Sequence, residues 1–284
     1  MSKINRIRSG SGFGDSIYLQ SIVKFLADAK MKLEVPSYFK ELIDEIGVRS
    51  APKSKKNIDI IAHYVQRKGH AGTTQFDDMC WSAGKSQAVL DHGVQLVDAE
   101  GHALLNMKLI WAIKNRSLVN DILAKSAGRK IIFLGMPRPP MDRTDGFAGE
   151  LSPDWRQGQK VLDSVDRSKY YIIQMGKGAK LFEFKGLDLD LTNQTSVSDV
   201  LDVGSISSAF IGMGCSYIIP LSESRDKMAL TVWSGRGLRS KEPFVSRITP
   251  TKIFHEKTSM AIIDDRVEKD RHVMEEFFSR IDWE

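Results

Sequence analysis

Apolar and polar positions along the chain follow two periods in turn. "INRIR" (residues 4–8) reads as a first strand, followed by a glycine turn. From Asp15 to Ala29, Ile17, Leu19, Ile22, Val23 and Leu26 recur at helical spacing, and Gly10, Gly12 and Gly14 lie around the junction. "MKLEV" predicts a second strand. Pro36 opens a helix through Ile46, with Gly47 as its stop. "NIDIIAHYV" predicts a third strand. The stretch from Lys68 to Gln95 carries no single period, whereas "ALLNMKLIWAIKN" and "SLVNDILAK" predict helices. After a break at "SAGRK" a second series starts with the strand "IIFLGM" (Ile131 to Met136). A helix capped by Ser152 and Pro153 follows, then the strand "YYIIQMG" and the helix "TSVSDVLDVGSI". "SAFIGM", "ALTVWS" and "KIFH" predict further strands, and Asp264 to Ile281 a charged amphipathic helix.

Alternating strands and helices imply right-handed βαβ units and parallel sheets. The break near Gly128 divides them into two doubly wound α/β domains, 1–128 and 129–284, with a C-terminal helix free to pack back on the first. Such sheets bind ligands beyond the carboxyl ends of their strands, so two facing sheets would place the site in a cleft between the domains. A composition of 42% hydrophobic and 27% charged residues is that of a globular protein. No apolar run is long enough to cross a bilayer, and the basic N-terminus lacks the apolar stretch of a secretory signal. Cys80 and Cys215 make no disulfide framework, and together these features predict a cytoplasmic protein. The net charge of +5 is uneven. Residues 1–130 hold 20 Lys and Arg against 13 Asp and Glu, and the remainder is slightly acidic. A basic first half can attract a polyanion such as nucleic acid or a phosphorylated saccharide; a solvated surface is the plainer reading.

The glycines before the first helix let the chain turn tightly and let a substrate approach the backbone. Their G-x-G-x-G spacing is not the dinucleotide fingerprint, and Glu34 is the nearest acid to the end of the second strand. No G-K-[ST] follows, which excludes a Walker loop. Asp15 has two readings. As a cap it accepts backbone N–H bonds, which lowers its pKa; as a general base it needs the opposite. The six histidines form no H-x-x-x-H or H-E-x-x-H pair, so no metal site is expected. "DDMCW" (Asp77 to Trp81) is a weaker candidate for an acceptor-side element.

"SGFGDSIYLQSIVKFL" resembles the N-terminal G-D-x-I turn and helix of the heptosyltransferase-like glycosyltransferases, which have the GT-B fold of two facing Rossmann-like domains. "DLTNQTSVSDVLDVGSISSAFIGM" is similar to that family's D-L-T-G-x-T-S-L-x-E-L segment and the strand after it. The resemblance implies a nucleoside-diphosphate sugar as co-substrate in the second domain, no further cofactor, and an acceptor in the first. It implies inverting transfer with Asp15 as base, beside the Gly12 and Gly14 turn. It further implies donor contacts from Arg138, from the loop Gly214, Cys215 and Ser216, and from Glu223, without a metal. That loop departs from the family's acidic D-S-G-P-x-H run: the residues here are Gly214, Cys215, Ser216 and Tyr217. The departure keeps a non-catalytic ligand-binding protein of the same fold in play, and an NAD(P) enzyme is a third reading. For the acceptor, the resemblance allows a phosphorylated saccharide or, in a bacteriophage member, hydroxymethylated bases in DNA.

Overall fold

The structure is a computed structural model. It describes residues 3–10, 12–37, 39–51, 58–63, 73–135, 155–177, 183–213, 217–234, 258–263 and 271–283. The chain divides into two compact units, one holding the described residues up to Ala112 and the other those from Ile113 onward.

The first unit is built on four parallel strands, β1 (Asn5–Arg8), β2 (Leu33–Pro36), β3 (Arg49–Ala51) and β4 (Ile60–Ile61), in the order β3-β2-β1-β4. Helices α1 (Phe13–Asp28), α2 (Lys40–Asp44), α3 (Gln75–Gly84) and α4 (Gln87–Asp91) accompany them. Ile7, Val35 and Ile60 pack with Leu19, Ile22 and Leu26 of α1 and with Met79 and Ala83 of α3 in one core. Pro36 closes β2 rather than opening a helix, and α2 starts at Lys40. Gly47, at φ +69°, takes the left-handed conformation that ends that segment.

α1 is buried on nearly every side, polar residues included, because the chain from 105 to 112 lies over it. The expected helix over "ALLNMKLIWAIKN" does not form. Gln20 is the reason: its Nε2 donates to the Ile110 carbonyl (2.9 Å) and the Leu42 carbonyl (2.6 Å), and its Oε1 accepts from the Ile110 N–H (2.9 Å). Ser21 Oγ exchanges bonds of 3.1 Å with both backbone groups of Lys108. Two side chains thus replace the ladder that a neighbouring strand would supply, and Leu105, Met107 and Leu109 point inward at a period of two.

The second unit carries a six-stranded, all-parallel sheet of β5 (Lys130–Gly135), β6 (Tyr170–Met175), β7 (Leu189–Asp190), β8 (Ala209–Met213), β9 (Met228–Ser234) and β10 (Thr258–Ile263). Their order is β10-β9-β8-β5-β6-β7, with β5 paired to both β6 and β8. The helices are α5 (Arg116–Ser126), α6 (Trp155–Asp163), α7 (Val197–Ile206), α8 (Ile218–Glu223) and α9 (Arg271–Trp283). Phe277 and Ile281 fasten α9 to this unit's core beside Tyr170 and Ile172. The strands β7 and β10 of this unit, like β3 of the first, are not among those the sequence predicts; "KIFH", Ser152 and Pro153 lie outside the described residues. At the unit's start the fully buried Asp202 of α7 accepts the N–H groups of Lys114 (3.1 Å) and Asn115 (2.6 Å). Among the described residues no helix is long and apolar enough to cross a membrane.

Candidate active site

In the first sheet the chain winds outward from β1 to β3, then returns to β4 on the other side of β1. The strand order therefore reverses between β1 and β4, and ligands of open α/β sheets bind beyond the carboxyl ends at such a point. Two stretches leave the sheet there side by side. One is the glycine turn after β1. The other is Ala62–His63 after β4, where the Ala62 N–H donates to the Arg8 carbonyl at 2.8 Å.

Asp15 stands at this place, in the first turn of α1. The helix starts two residues earlier than its periodicity predicts, so Gly12 is the N-cap and Asp15 is the third helical residue. The Asp15 carboxylate reaches back and accepts the Gly12 N–H at 3.3 Å. Glycine has no side chain to return the bond, so only one arm of a capping box can form. The carboxylate lies flat against the turn: a Cβ on Gly10 would sit 2.0 Å from Oδ2 and 2.8 Å from Cγ, and one on Gly12 would sit 3.2 Å from Oδ2. The floor is glycine because the carboxylate occupies the space of a side chain. Neither Gly10 nor Gly12 needs a left-handed backbone. Gly14 is buried within the helix's first turn.

Burial raises the Asp15 pKa above its ordinary value; the Gly12 N–H and the charge of His63 oppose this without cancelling it. Capping and basicity therefore coexist at one residue. His63 was not singled out in the sequence. A lone histidine after a strand carries no motif, and only the strand order places β4 beside β1.

Other candidates in this unit have structural duties. Glu34 ion-pairs with Arg6 of β1 (2.8 Å) and Arg49 of β3 (3.1 Å), so the carboxylate a dinucleotide site would want is held between two guanidinium groups. Asp77 accepts from Thr74 N and Oγ1 and from the Ala103 N–H at 2.7 Å, fixing the start of α3. The Cys80 thiol is buried and pushed well above its ordinary pKa, first by desolvation and then by Asp77, which suits packing rather than nucleophilic attack. Among the described residues no three His, Cys, Asp or Glu side chains converge as metal ligands would.

In the second sheet the order reverses between β5 and β8. Arg138, three residues past β5, and Gly214, Cys215 and Ser216, directly past β8, lie outside the described residues. Gly212 of β8 lets α8 pack closely: a Cβ there would meet Ile218 at 3.1 Å. Tyr217, the N-cap of α8, is half-buried. Its hydroxyl donates to the carbonyl of Met175, the last residue of β6, at 3.3 Å. Its ring is perpendicular to that of Phe133 of β5, at an interplanar angle of 86° with centroids 6.4 Å apart. Glu223 is buried at the opposite end of α8, about 9 Å along the helix axis from Tyr217.

By sequence the chain matches no protein-family model and no curated protein. By structure it is similar to ADP-heptose lipopolysaccharide heptosyltransferase II of E. coli, at 10% identity and a TM-score of 0.62 over 99% of both chains. It is also similar to a family 9 glycosyl transferase of Veillonella parvula, at 8% identity and a TM-score of 0.53, over 98% of this chain and 96% of that one. The E. coli heptosyltransferase WaaC with ADP aligns at 12% identity and a TM-score of 0.50, over 98% of this chain and 97% of that one. At such identities the likeness is one of fold: two Rossmann-like, all-parallel, doubly wound sheets in one chain, as in the GT-B fold.

Proposed function

We propose that the chain is an inverting, metal-independent glycosyltransferase that moves a sugar from a nucleoside-diphosphate sugar to a hydroxyl of a polyanionic acceptor. The observation that carries this reading is Asp15, a half-buried carboxylate with a raised pKa at the β1/β4 switch point of a GT-B fold. In this mechanism Asp15 takes the proton of the acceptor hydroxyl. The freed oxygen attacks the anomeric carbon of a donor held by the second unit. A new C–O bond forms on one face while the bond to the diphosphate oxygen breaks on the other, which inverts the configuration. Arg138 and backbone amides following β8 would take the charge of the leaving nucleoside diphosphate, the task a metal performs elsewhere. The basic first half suits an anionic acceptor, whether a phosphorylated saccharide or modified DNA. Solved structures of this fold include one titled with ADP and two named as heptosyltransferases, which favours an ADP-sugar as the first donor to try.

The test is hydrolysis and transfer from a panel of nucleotide sugars by the wild type and Asp15→Asn. Nucleotide release by the wild type, abolished in Asp15→Asn with donor affinity retained, is the expected result. Donor binding with no turnover from any donor would instead favour the binding-protein reading.

A further inference from the structure

The loop after β8 ends in an aromatic residue whose placement has a consequence for the donor. Tyr217 starts on the β8 side of the switch point and reaches across β5 to β6. Its hydroxyl is tethered to the Met175 carbonyl and its ring packs at right angles to that of Phe133. Both ends of the side chain are thus fixed, and the ring stands at the carboxyl ends of the strands where a doubly wound sheet receives a nucleotide. In a dinucleotide site the second strand ends in an acid that holds a ribose. Here the equivalent strand, β6, ends "QMGK", without an acid, and its last carbonyl is taken by Tyr217.

We propose that Tyr217 is a donor-specificity residue, a fixed aromatic platform on which the base of the donor nucleotide stacks. This rests on the glycosyltransferase reading above. Of the three parts of a nucleoside-diphosphate sugar, the diphosphate calls for cations and backbone amides, and the sugar for a set of hydrogen-bonding groups. A phenol ring offers no positive charge, and its π face is electron-rich, so it suits the flat, uncharged base. A ring held at both ends loses little conformational freedom when a base stacks on it.

The experiment measures binding of ADP, UDP, GDP and CDP, and separately of inorganic pyrophosphate, by titration calorimetry on the full chain. Wild type, Tyr217→Ala, Tyr217→Phe and Tyr217→Trp are compared, with circular dichroism as a check on folding. The expected result is a weakening of the preferred nucleotide by about tenfold or more in Tyr217→Ala, the scale of one lost base–aromatic stack. Tyr217→Phe and Tyr217→Trp retain most of the affinity, and pyrophosphate binding is the same in all four proteins. Unchanged nucleotide affinity in Tyr217→Ala overturns the assignment, as does an equal loss for pyrophosphate. If Tyr217→Ala fails to fold, the ring-retaining pair decides: a loss in Tyr217→Phe as large as the removal of a whole stack overturns the platform role. A wild type that binds no nucleotide overturns the glycosyltransferase reading itself, and this inference with it. A wild type that binds while Tyr217→Ala is unaffected sinks only the role of Tyr217.

Discussion

Replacing Gly10 with alanine tests whether the turn exists to seat a carboxylate. The new Cβ would lie 2.0 Å from Asp15 Oδ2 and 2.8 Å from Cγ. Ordinary contact begins near 3.4 Å, so the carboxylate must retreat by more than an ångström. It can do so by rotating about χ1 and χ2, at a cost of about 0.5–1.5 kcal/mol, and it gives up its bond to the Gly12 N–H. Folding should therefore lose only roughly 1–2 kcal/mol. Catalysis should lose far more, because a base misplaced by about 1 Å costs on the order of 100-fold in turnover. Gly12→Ala is the internal control. Its Cβ would stand 3.2 Å from the same oxygen, a clash relieved by a few tenths of an ångström, so its loss should be several-fold at most. The assay is transferase turnover beside thermal stability and donor affinity. If Gly10→Ala turns over within about threefold of wild type while folded, the carboxylate is not held in a working position by this floor. A loss of stability as large as the loss of turnover would refute the reasoning from the other side.

The raised pKa of Asp15 makes two pH predictions. Turnover should fall on acidification through a value above the ordinary carboxylate pKa of 3.8, since the base must be ionised. The folded state also holds that proton more tightly than the unfolded chain, so this contribution to stability is full below about pH 4 and is lost as pH rises through the folded pKa. Asp15→Asn should thus be more stable than wild type at neutral pH, the gap closing below about pH 4 in denaturant titrations. Gln20→Leu should expose the Ile110 amide to rapid hydrogen exchange and cost about 2–3 kcal/mol, since it leaves the buried Leu42 carbonyl and the half-buried Ile110 groups unpaired; unchanged protection would refute the ladder role. Asp202→Ala should destabilise the protein by about 3 kcal/mol in chemical denaturation, because the amides of Lys114 and Asn115 lose their acceptor and Arg225 loses its nearby opposite charge. A change under about 0.5 kcal/mol would show that solvent replaces those bonds.

Much of this protein was legible without its structure, where the physics is local. The alternation of Met31, Leu33 and Val35 into β2, the short continuous apolar runs of β5 and β8, the period near 3.6 in α1 and α7, and the glycines around the first turn depend on residues close in sequence. They suffice for two parallel α/β series and for Asp15 at the first turn. The apolar residues of the 103–115 stretch satisfy both periods, so the sequence predicts a helix where the chain runs extended. What decides between them is Gln20 and Ser21, some 90 residues away, which supply the backbone partners of an extended chain. Strand order was likewise out of reach, since pairing in a parallel sheet is non-local. Only that order makes His63 a neighbour of the Asp15 turn and carries Tyr217 across β5 to Met175. The pKa of Asp15 follows the same division. Its backbone bond to Gly12 is a three-residue event that the sequence implies. The burial that outweighs that bond comes from tertiary packing, because desolvation depends on what surrounds a group and not on what precedes it in the chain.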